Sequence, residues 1–174
     1  MIDQAAAGLS DRQKRNFILQ QGFSEPAGQT CEMQFSALQF QPRILLVLVV
    51  IAILLQSPMM FFTLGVILLW NSLLPRWNVF ELIYNATLGS RPGAMKAEPA
   101  PAPRRFSQFL AAMIMTGAGL GLMMNWKLTT YVCEGFILLA VSLLVFAKLC
   151  LGSFIFYVIT RKSEFAKRTL PWSK

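Results

Sequence analysis

Two uncharged apolar runs, separated by a three-residue polar break, constrain the fold of this chain most strongly. The runs are Ile44–Leu55 and Met59–Leu74, and Gln56-Ser57-Pro58 separates them. A single helix over both runs would be about 46 Å long, whereas the hydrocarbon core of a bilayer is about 30 Å thick. Proline lacks an N–H and disfavours helical backbone at the residue before it. The stretch therefore predicts a transmembrane hairpin that turns at the polar break.

The second half of the chain repeats this plan. Phe106–Met124 is a span, Asn125-Trp126-Lys127 is a polar turn, and Leu128–Phe146 runs back. Further apolar residues continue to Ile159, so we expect the last part to leave the membrane core or to tilt strongly. The predicted fold is all-α and integral to the membrane, with four transmembrane helices arranged as two hairpins.

Composition agrees with a membrane protein, because 55% of the residues are hydrophobic and only 14% are charged. Histidine is absent and the three cysteines are widely separated, so no catalytic constellation and no metal site is expected. We predict no cofactor held by the chain's own residues, although lipids are expected and contact with a pigment or quinone stays open. The net charge of +8 is attributed to residues that flank the spans, not to nucleic-acid binding.

Basic residues are distributed unevenly around the predicted spans. The arm through Arg43 holds four, the 76–105 connection five and the tail five, whereas the two hairpin turns hold only Lys127. Cytoplasmic segments carry the excess of lysine and arginine. Both termini and the central connection are therefore predicted to be cytoplasmic, in a multi-pass protein of the bacterial inner membrane.

The chain divides into five predicted segments. They are a polar N-terminal arm (1–34), the first hairpin (35–75), a basic connection rich in proline and alanine (76–105), the second hairpin (106–160) and a basic tail (161–174). Within the connection, Asn78–Leu88 predicts a short helix, and Arg91–Arg105 predicts an extended polyproline II segment.

The N-terminal arm contains one predicted amphipathic helix, Asp11–Gln21, which Gly22 is placed to end. Two interpretations stay open: a helix lying on the membrane, with basic residues against phosphates, or a solvated arm that orders on a partner. The basic residues expected to face lipid or a partner are Arg12, Lys14, Arg15, Arg104 and Arg105. Trp70, Trp77 and Trp126 are expected to be interfacial anchors.

Two charges lie in or near the fourth span, Glu134 and Lys148, and intramembrane charges are candidate functional groups. One interpretation is a transport path. The favoured one is that Lys148 extends to the inner headgroups, while Glu134 is hydrogen-bonded near the outer surface or to a partner. Gly117, Gly119 and Gly121 predict close helix packing.

Three short motifs carry a resemblance to a known family. They are Pro75-Arg76, the run Arg104-Arg105-Phe106-Ser107-Gln108, and Cys150-Leu151-Gly152-Ser153 followed by Tyr157. Over roughly residues 35–160 the chain resembles a bacterial membrane family known only as domain of unknown function 4395. The resemblance implies four spans and a Cys-Leu-Gly-Cys motif, in which Ser153 replaces the second cysteine here. Cys150 is therefore a candidate thiol without its local partner.

Two functions follow from these observations. The first is a non-catalytic accessory subunit of a larger membrane complex, such as a photosynthetic or respiratory electron-transfer assembly, whose partners would be other membrane subunits and lipid headgroups. The alternative is a small transporter or a membrane thiol-redox protein that uses Glu134, Lys148 and Cys150. An enzyme is not expected, because no soluble-type catalytic arrangement is present.

Overall fold

A computed structural model describes residues 11–24, 30–90 and 96–173, and within these ranges every regular element is helical. The α-helices, numbered in chain order, are α1 (Asp11–Gln20), α2 (Thr30–Leu55), α3 (Pro58–Leu73), α4 (Val79–Thr87), α5 (Ala102–Met123), α6 (Lys127–Ser142), α7 (Leu151–Ile159) and α8 (Ser163–Arg168). A 3₁₀ turn covers Pro75–Trp77, and a π-helical segment over Leu143–Ala147 extends α6.

Three helical stretches of the described residues are long and apolar enough to cross a membrane, namely Cys31–Leu55, Ala102–Met123 and Lys127–Ala147. Helix α3 is also apolar but has only 16 residues. The predicted break lies between α2 and α3, where the Ser57 side chain accepts a hydrogen bond from the Met60 N–H and Pro58 opens the next helix. The chain thus has the fold of an all-α membrane protein.

The main core lies between α2, α3, α5 and α6. Each helix contributes apolar side chains that are almost completely buried, for example Val49, Phe61, Met115 and Ile137. Small residues bring α3 and α5 together: a Cβ at Gly65 would lie 3.1 Å from Thr116 Oγ1 and 3.4 Å from the Ala112 carbonyl oxygen. The two predicted hairpins therefore form one bundle with a shared core.

The long apolar run at the end of the chain is broken at Lys148. After the π-helical segment, Lys148 adopts a left-handed backbone conformation with φ of 57°, and Cys150 is extended. Helix α7 then packs against the start of α5. The apolar pattern alone does not predict this reversal, because no proline or glycine marks the break.

The N-terminal helix is packed on the protein, so the interpretation as a solvated arm is wrong, whereas its place at the membrane surface stays a prediction. Phe17 and Ile18 are buried against Phe35 and Leu38 of α2. Lys14 is buried too, and its Nζ donates to Glu32 Oε1 at 2.6 Å. The prediction that Lys14 faces lipid or a partner fails, because its side chain is buried and its Nζ pairs with the exposed carboxylate of Glu32 on α2.

The connection between the hairpins is partly as predicted. The helix expected over Asn78–Leu88 is α4, and the Asn78 side chain caps it by accepting hydrogen bonds from the N–H groups of Phe80 and Glu81. Of the extended segment expected over Arg91–Arg105, residues 91–95 lie outside the described residues. The segment ends earlier than expected, because α5 already begins at Ala102 and carries Pro103 in its first turn.

Candidate thiol site at the inner end of the bundle

A cavity of about 90 Å³ lies at the end of the bundle that carries α1, α4 and α7, called here the inner end. Residues of α2, α3, α5, α6 and α7 line it, together with Gln21, which follows α1. Most of the lining side chains are apolar, including Leu45, Leu68 and Val141. The cavity is therefore an apolar chamber with a few polar groups on its wall.

Arg104 provides the positive charge of this cavity. Its side chain is only 5% exposed, and its Nη2 donates to Gln41 Oε1 at 3.0 Å. The same nitrogen lies 3.7 Å from Glu81 Oε1, and the guanidinium carbon lies 5.7 Å from the centre of the Phe23 ring. The prediction that Arg104 faces lipid or a partner is wrong, because these groups bury it in the protein.

Glu81 on α4 forms a buried ion pair with Arg104 without a hydrogen bond between the two side chains. Burial raises the pKa of Glu81 to about 7, although the Arg104 guanidinium opposes this shift. The Oε1 of Glu81 also accepts a hydrogen bond from Asn78 Nδ2. The carboxylate oxygen lies 3.7 Å from Arg104 Nη2, beyond hydrogen-bond distance, so Glu81 acts on the guanidinium by charge alone.

Three residues that line the cavity each carry a buried polar atom without a hydrogen-bond partner among the residues that the structure describes. These atoms are Arg104 Nη1, Gln21 Nε2 and Gln108 Oε1. Each belongs to a side chain that is more than nine-tenths buried. Gln108 is oriented by its own amide, because its Nε2 donates to Gln41 Oε1 at 3.1 Å. Buried polar groups normally have partners, so these three atoms mark a site that a ligand or ordered water would complete.

Cys150 lies on the wall of the same cavity, immediately before α7. Its Sγ is 3.3 Å from Ser107 Oγ and 3.2 Å from Ser153 Oγ, and the two hydroxyl oxygens are 3.1 Å apart. Gln20 of α1 holds the backbone, accepting a hydrogen bond from the Cys150 N–H at 2.8 Å. The thiol thus lies at a helix N-terminus between two hydroxyl groups, with a buried guanidinium on the same cavity wall.

A glycine permits the close approach that builds this site. A Cβ at Gly152 would lie 2.7 Å from the Cα and 2.6 Å from the Oγ of Ser107. Only glycine lets α7 lie this close to α5. The contact between these helices fixes Cys150 beside the cavity.

The two intramembrane charges lie elsewhere and do not meet. Glu134 is buried near the outer end, where Gln56 Nε2 donates to its Oε1 at 2.9 Å. Lys148 is also buried, donating to Gln39 Oε1 at 3.3 Å and to the Val145 carbonyl oxygen. The favoured interpretation that Lys148 extends to headgroups is therefore wrong, because α2 supplies its partner.

The remaining predicted residues lie on surfaces or between helices. A Cβ at Gly117 or Gly121 would meet α6 side chains, Cys133 Sγ at 3.2 Å and Thr130 Oγ1 at 2.6 Å, and a Cβ at Gly119 would meet the Phe62 ring of α3. The residues with exposed side chains are Arg12, Arg15, Trp70, Trp77 and Trp126. Arg105 is half-buried and its Nε donates to the Ser72 carbonyl oxygen at 2.7 Å.

Sequence reasoning selected Cys150 but missed most of the groups around it. Ser107 and Gln108 are predicted only as part of the motif that carries the resemblance, and Gln41 is not among the predicted site residues. A weak signal was present, because two glutamines and an arginine in apolar helices need buried partners. The structure brings Gln41, Arg104, Gln108 and Cys150 to one cavity.

The family described as domain of unknown function (DUF4395) matches residues 35–161. This match includes every lining residue of the cavity except Gln21, whereas α1 precedes it. Searches of curated proteins and of solved structures give no match. By this match over most of its length, the chain belongs to the DUF4395 family.

Proposed function

We propose that this protein is a membrane thiol protein in which Cys150 undergoes thiol–disulfide exchange with a low-molecular-weight disulfide. The observation that supports this most strongly is the common cavity of Cys150 and the buried, incompletely paired Arg104. Exchange develops negative charge on sulfur. A guanidinium and the N-terminus of α7 both favour negative charge at that place.

The exchange itself needs no further oxidant. The Cys150 thiolate attacks one sulfur of the incoming disulfide, a new S–S bond forms to Sγ, the old S–S bond breaks, and the other sulfur leaves as a thiolate. Ser153 has no thiol with which to displace the bound group. The mixed disulfide on Cys150 is therefore released by a second external thiol.

The membrane arrangement proposed with this function has four spans, with both termini and the cavity on the cytoplasmic side of the bacterial inner membrane. Helix α3 is the shortest of the four, at about 24 Å for 16 residues. Its burial in the shared core supports its inclusion as a span. The uneven distribution of basic residues supports the orientation.

Exchange at Cys150 is tested with the neutral reagent hydroxyethyl disulfide on the full chain in membranes. We expect one mixed disulfide on Cys150, formed at least about tenfold faster than on Cys133, which packs partly buried against the apolar core and has no cationic group beside it among the described residues. Intact-protein and peptide mass spectrometry identify the modified cysteine. Cys150→Ser is the control that removes the adduct.

The proposal fails if Cys150 stays unmodified in the folded protein but reacts once the chain is denatured. In that case the thiol is a buried structural group, and the cavity has another use. A variant with serine at Cys31 and Cys133 keeps Cys150 as the one cysteine and gives the same rate without competing adducts.

Restoring a second cysteine is expected to convert the site into a dithiol. In Ser153→Cys the new sulfur starts about where the Oγ lies, 3.2 Å from Cys150 Sγ, and a small side-chain rotation gives a disulfide of about 2.05 Å. We expect oxidation to protect both cysteines from maleimide labelling and dithiothreitol to restore it. Ser163→Cys, on exposed α8, is the matched control that leaves Cys150 free. Continued full labelling of Ser153→Cys after oxidation would contradict the geometry of the site.

The expectation of an accessory subunit in an electron-transfer complex stays a prediction. It does not conflict with a thiol site, because a subunit of a complex can also carry one.

A further inference from the structure

We propose that the cavity beside Cys150 binds a small monocarboxylate that also carries a hydroxyl or thiol donor. This inference deepens the proposed thiol function by naming a ligand class for the same site. It rests on three properties of the cavity: its charge, the position of its unpartnered polar atoms, and its size.

The charge of the cavity selects an anion. Arg104 is buried, its nearest carboxylate oxygen is 3.7 Å away, and its other close partner, Gln41, is neutral. A carboxylate that accepts from Arg104 Nη1 would form the charge-assisted hydrogen bond that the guanidinium lacks. A cation or a neutral apolar molecule would leave this nitrogen unpaired.

The unpartnered atoms supply two donors and one acceptor. Arg104 Nη1 and Gln21 Nε2 are donors, and a carboxylate offers only acceptors. Gln108 Oε1 can only accept, because its amide nitrogen already donates to Gln41. A hydroxyl or thiol on the ligand would satisfy this oxygen by donating a hydrogen bond to it.

The size and lining of the cavity exclude larger or strongly hydrated ligands. A cavity of about 150 Å³ holds benzene, so one of about 90 Å³ has room for about four or five non-hydrogen atoms. Apolar side chains, including Leu45, Ile137 and Leu144, form most of the wall. An inorganic dianion would lose its hydration there without enough partners, whereas a short carbon skeleton fits the wall.

Three probes of nearly equal size separate these contributions. Glycolate has the carboxylate and the hydroxyl, acetate lacks the hydroxyl, and glycolamide lacks the charge. We expect glycolate at ten times its dissociation constant to slow alkylation of Cys150 by N-ethylmaleimide about tenfold. Acetate should protect less at equal concentration, and glycolamide should not protect. Equal effects of glycolate and glycolamide would overturn the proposal.

Two arginine variants test which positive charge binds glycolate. Arg104→Gln should abolish protection by glycolate, whereas Arg105→Gln should retain it, because Arg105 contacts the Ser72 carbonyl and not the cavity. If Arg104→Gln does not fold, the comparison of glycolate with glycolamide on the wild-type chain still decides. Retained protection in folded Arg104→Gln would contradict the assignment.

A second measurement separates failure of this inference from failure of the thiol function. Radiolabelled glycolate should bind Cys150→Ser in equilibrium dialysis, because Arg104, Gln21 and Gln108 are intact. A Cys150 that exchanges disulfides in a chain that binds no glycolate would overturn the ligand inference alone. Binding by a chain whose Cys150 never reacts would support the anion site and overturn the thiol function.

Discussion

Replacing Gly152 by valine is expected to force α7 away from α5 and to open the thiol site. Any Cβ at this position meets the Cα, Cβ and Oγ of Ser107 at 2.6 to 2.8 Å, and the Cα of a helix in the core cannot yield as a side chain can. We expect a loss of about 2–3 kcal/mol in the free energy of unfolding, at the upper end of the usual cost of overpacking. Alkylation of Cys150 should become at least about tenfold faster, because the displaced helix no longer covers the thiol.

Unfolding in a mild detergent and the rate of maleimide labelling measure the two effects. Gly135→Val is the matched control, since a Cβ at Gly135 on α6 would meet no atom within 4 Å. Both variants replace a helical glycine by valine. The difference between them in stability and in labelling rate therefore reports the contact with Ser107. Equal stability and equal labelling of the two variants would show that α7 is not held against α5.

The sequence predicted the spans because the information for them is local. Uncharged runs, a proline and two polar turns are enough to predict the helices α2, α3, α5 and α6. The break before α7 carries no such signal. At Lys148 the left-handed backbone occurs in a residue type that rarely adopts it, and the buried contact of its Nζ with Gln39 comes from a helix more than one hundred residues earlier.

The candidate site was harder to predict than the spans, because two adjacent residues of one helix point in different directions and contact different helices. Arg104 and Arg105 were both expected to face lipid or a partner, but successive side chains on a helix point about 100° apart. Arg105 therefore reaches Ser72 of α3, while Arg104 reaches Gln41 of α2 inside the bundle. Which direction enters the cavity depends on the rotation of α5, and tertiary packing sets that rotation.

Arg104→Met is expected to destabilise the fold strongly at pH 8 and much less at pH 6. Removing one partner of a buried ion pair usually costs about 3–5 kcal/mol, because the other charge is left uncompensated. Here the remaining charge is Glu81, and a carboxyl group can avoid the cost by binding a proton. The loss therefore depends on the protonation of Glu81.

The direction of the pH effect follows from the pKa of Glu81. In the wild-type fold this pKa is about 7, above the ordinary value of 4.5, so the folded state binds more protons than the unfolded state between these two values. Stability falls as pH rises through this window and is constant above it. The guanidinium lowers the pKa of Glu81, so in Arg104→Met the pKa of Glu81 in the folded state rises further. The free energy of unfolding then continues to fall above pH 7.

Unfolding measured in a mild detergent at pH 6 and pH 8 tests this dependence. The difference in free energy of unfolding between the two pH values should be larger in Arg104→Met than in the wild-type chain. Adding Glu81→Gln to Arg104→Met should remove the extra pH dependence, because no titratable group then remains in the pair. Arg105→Met controls for the loss of a neighbouring arginine and should keep the wild-type pH dependence. If Arg104→Met and the wild-type chain lose the same free energy between pH 6 and pH 8, Glu81 is not the group that balances Arg104.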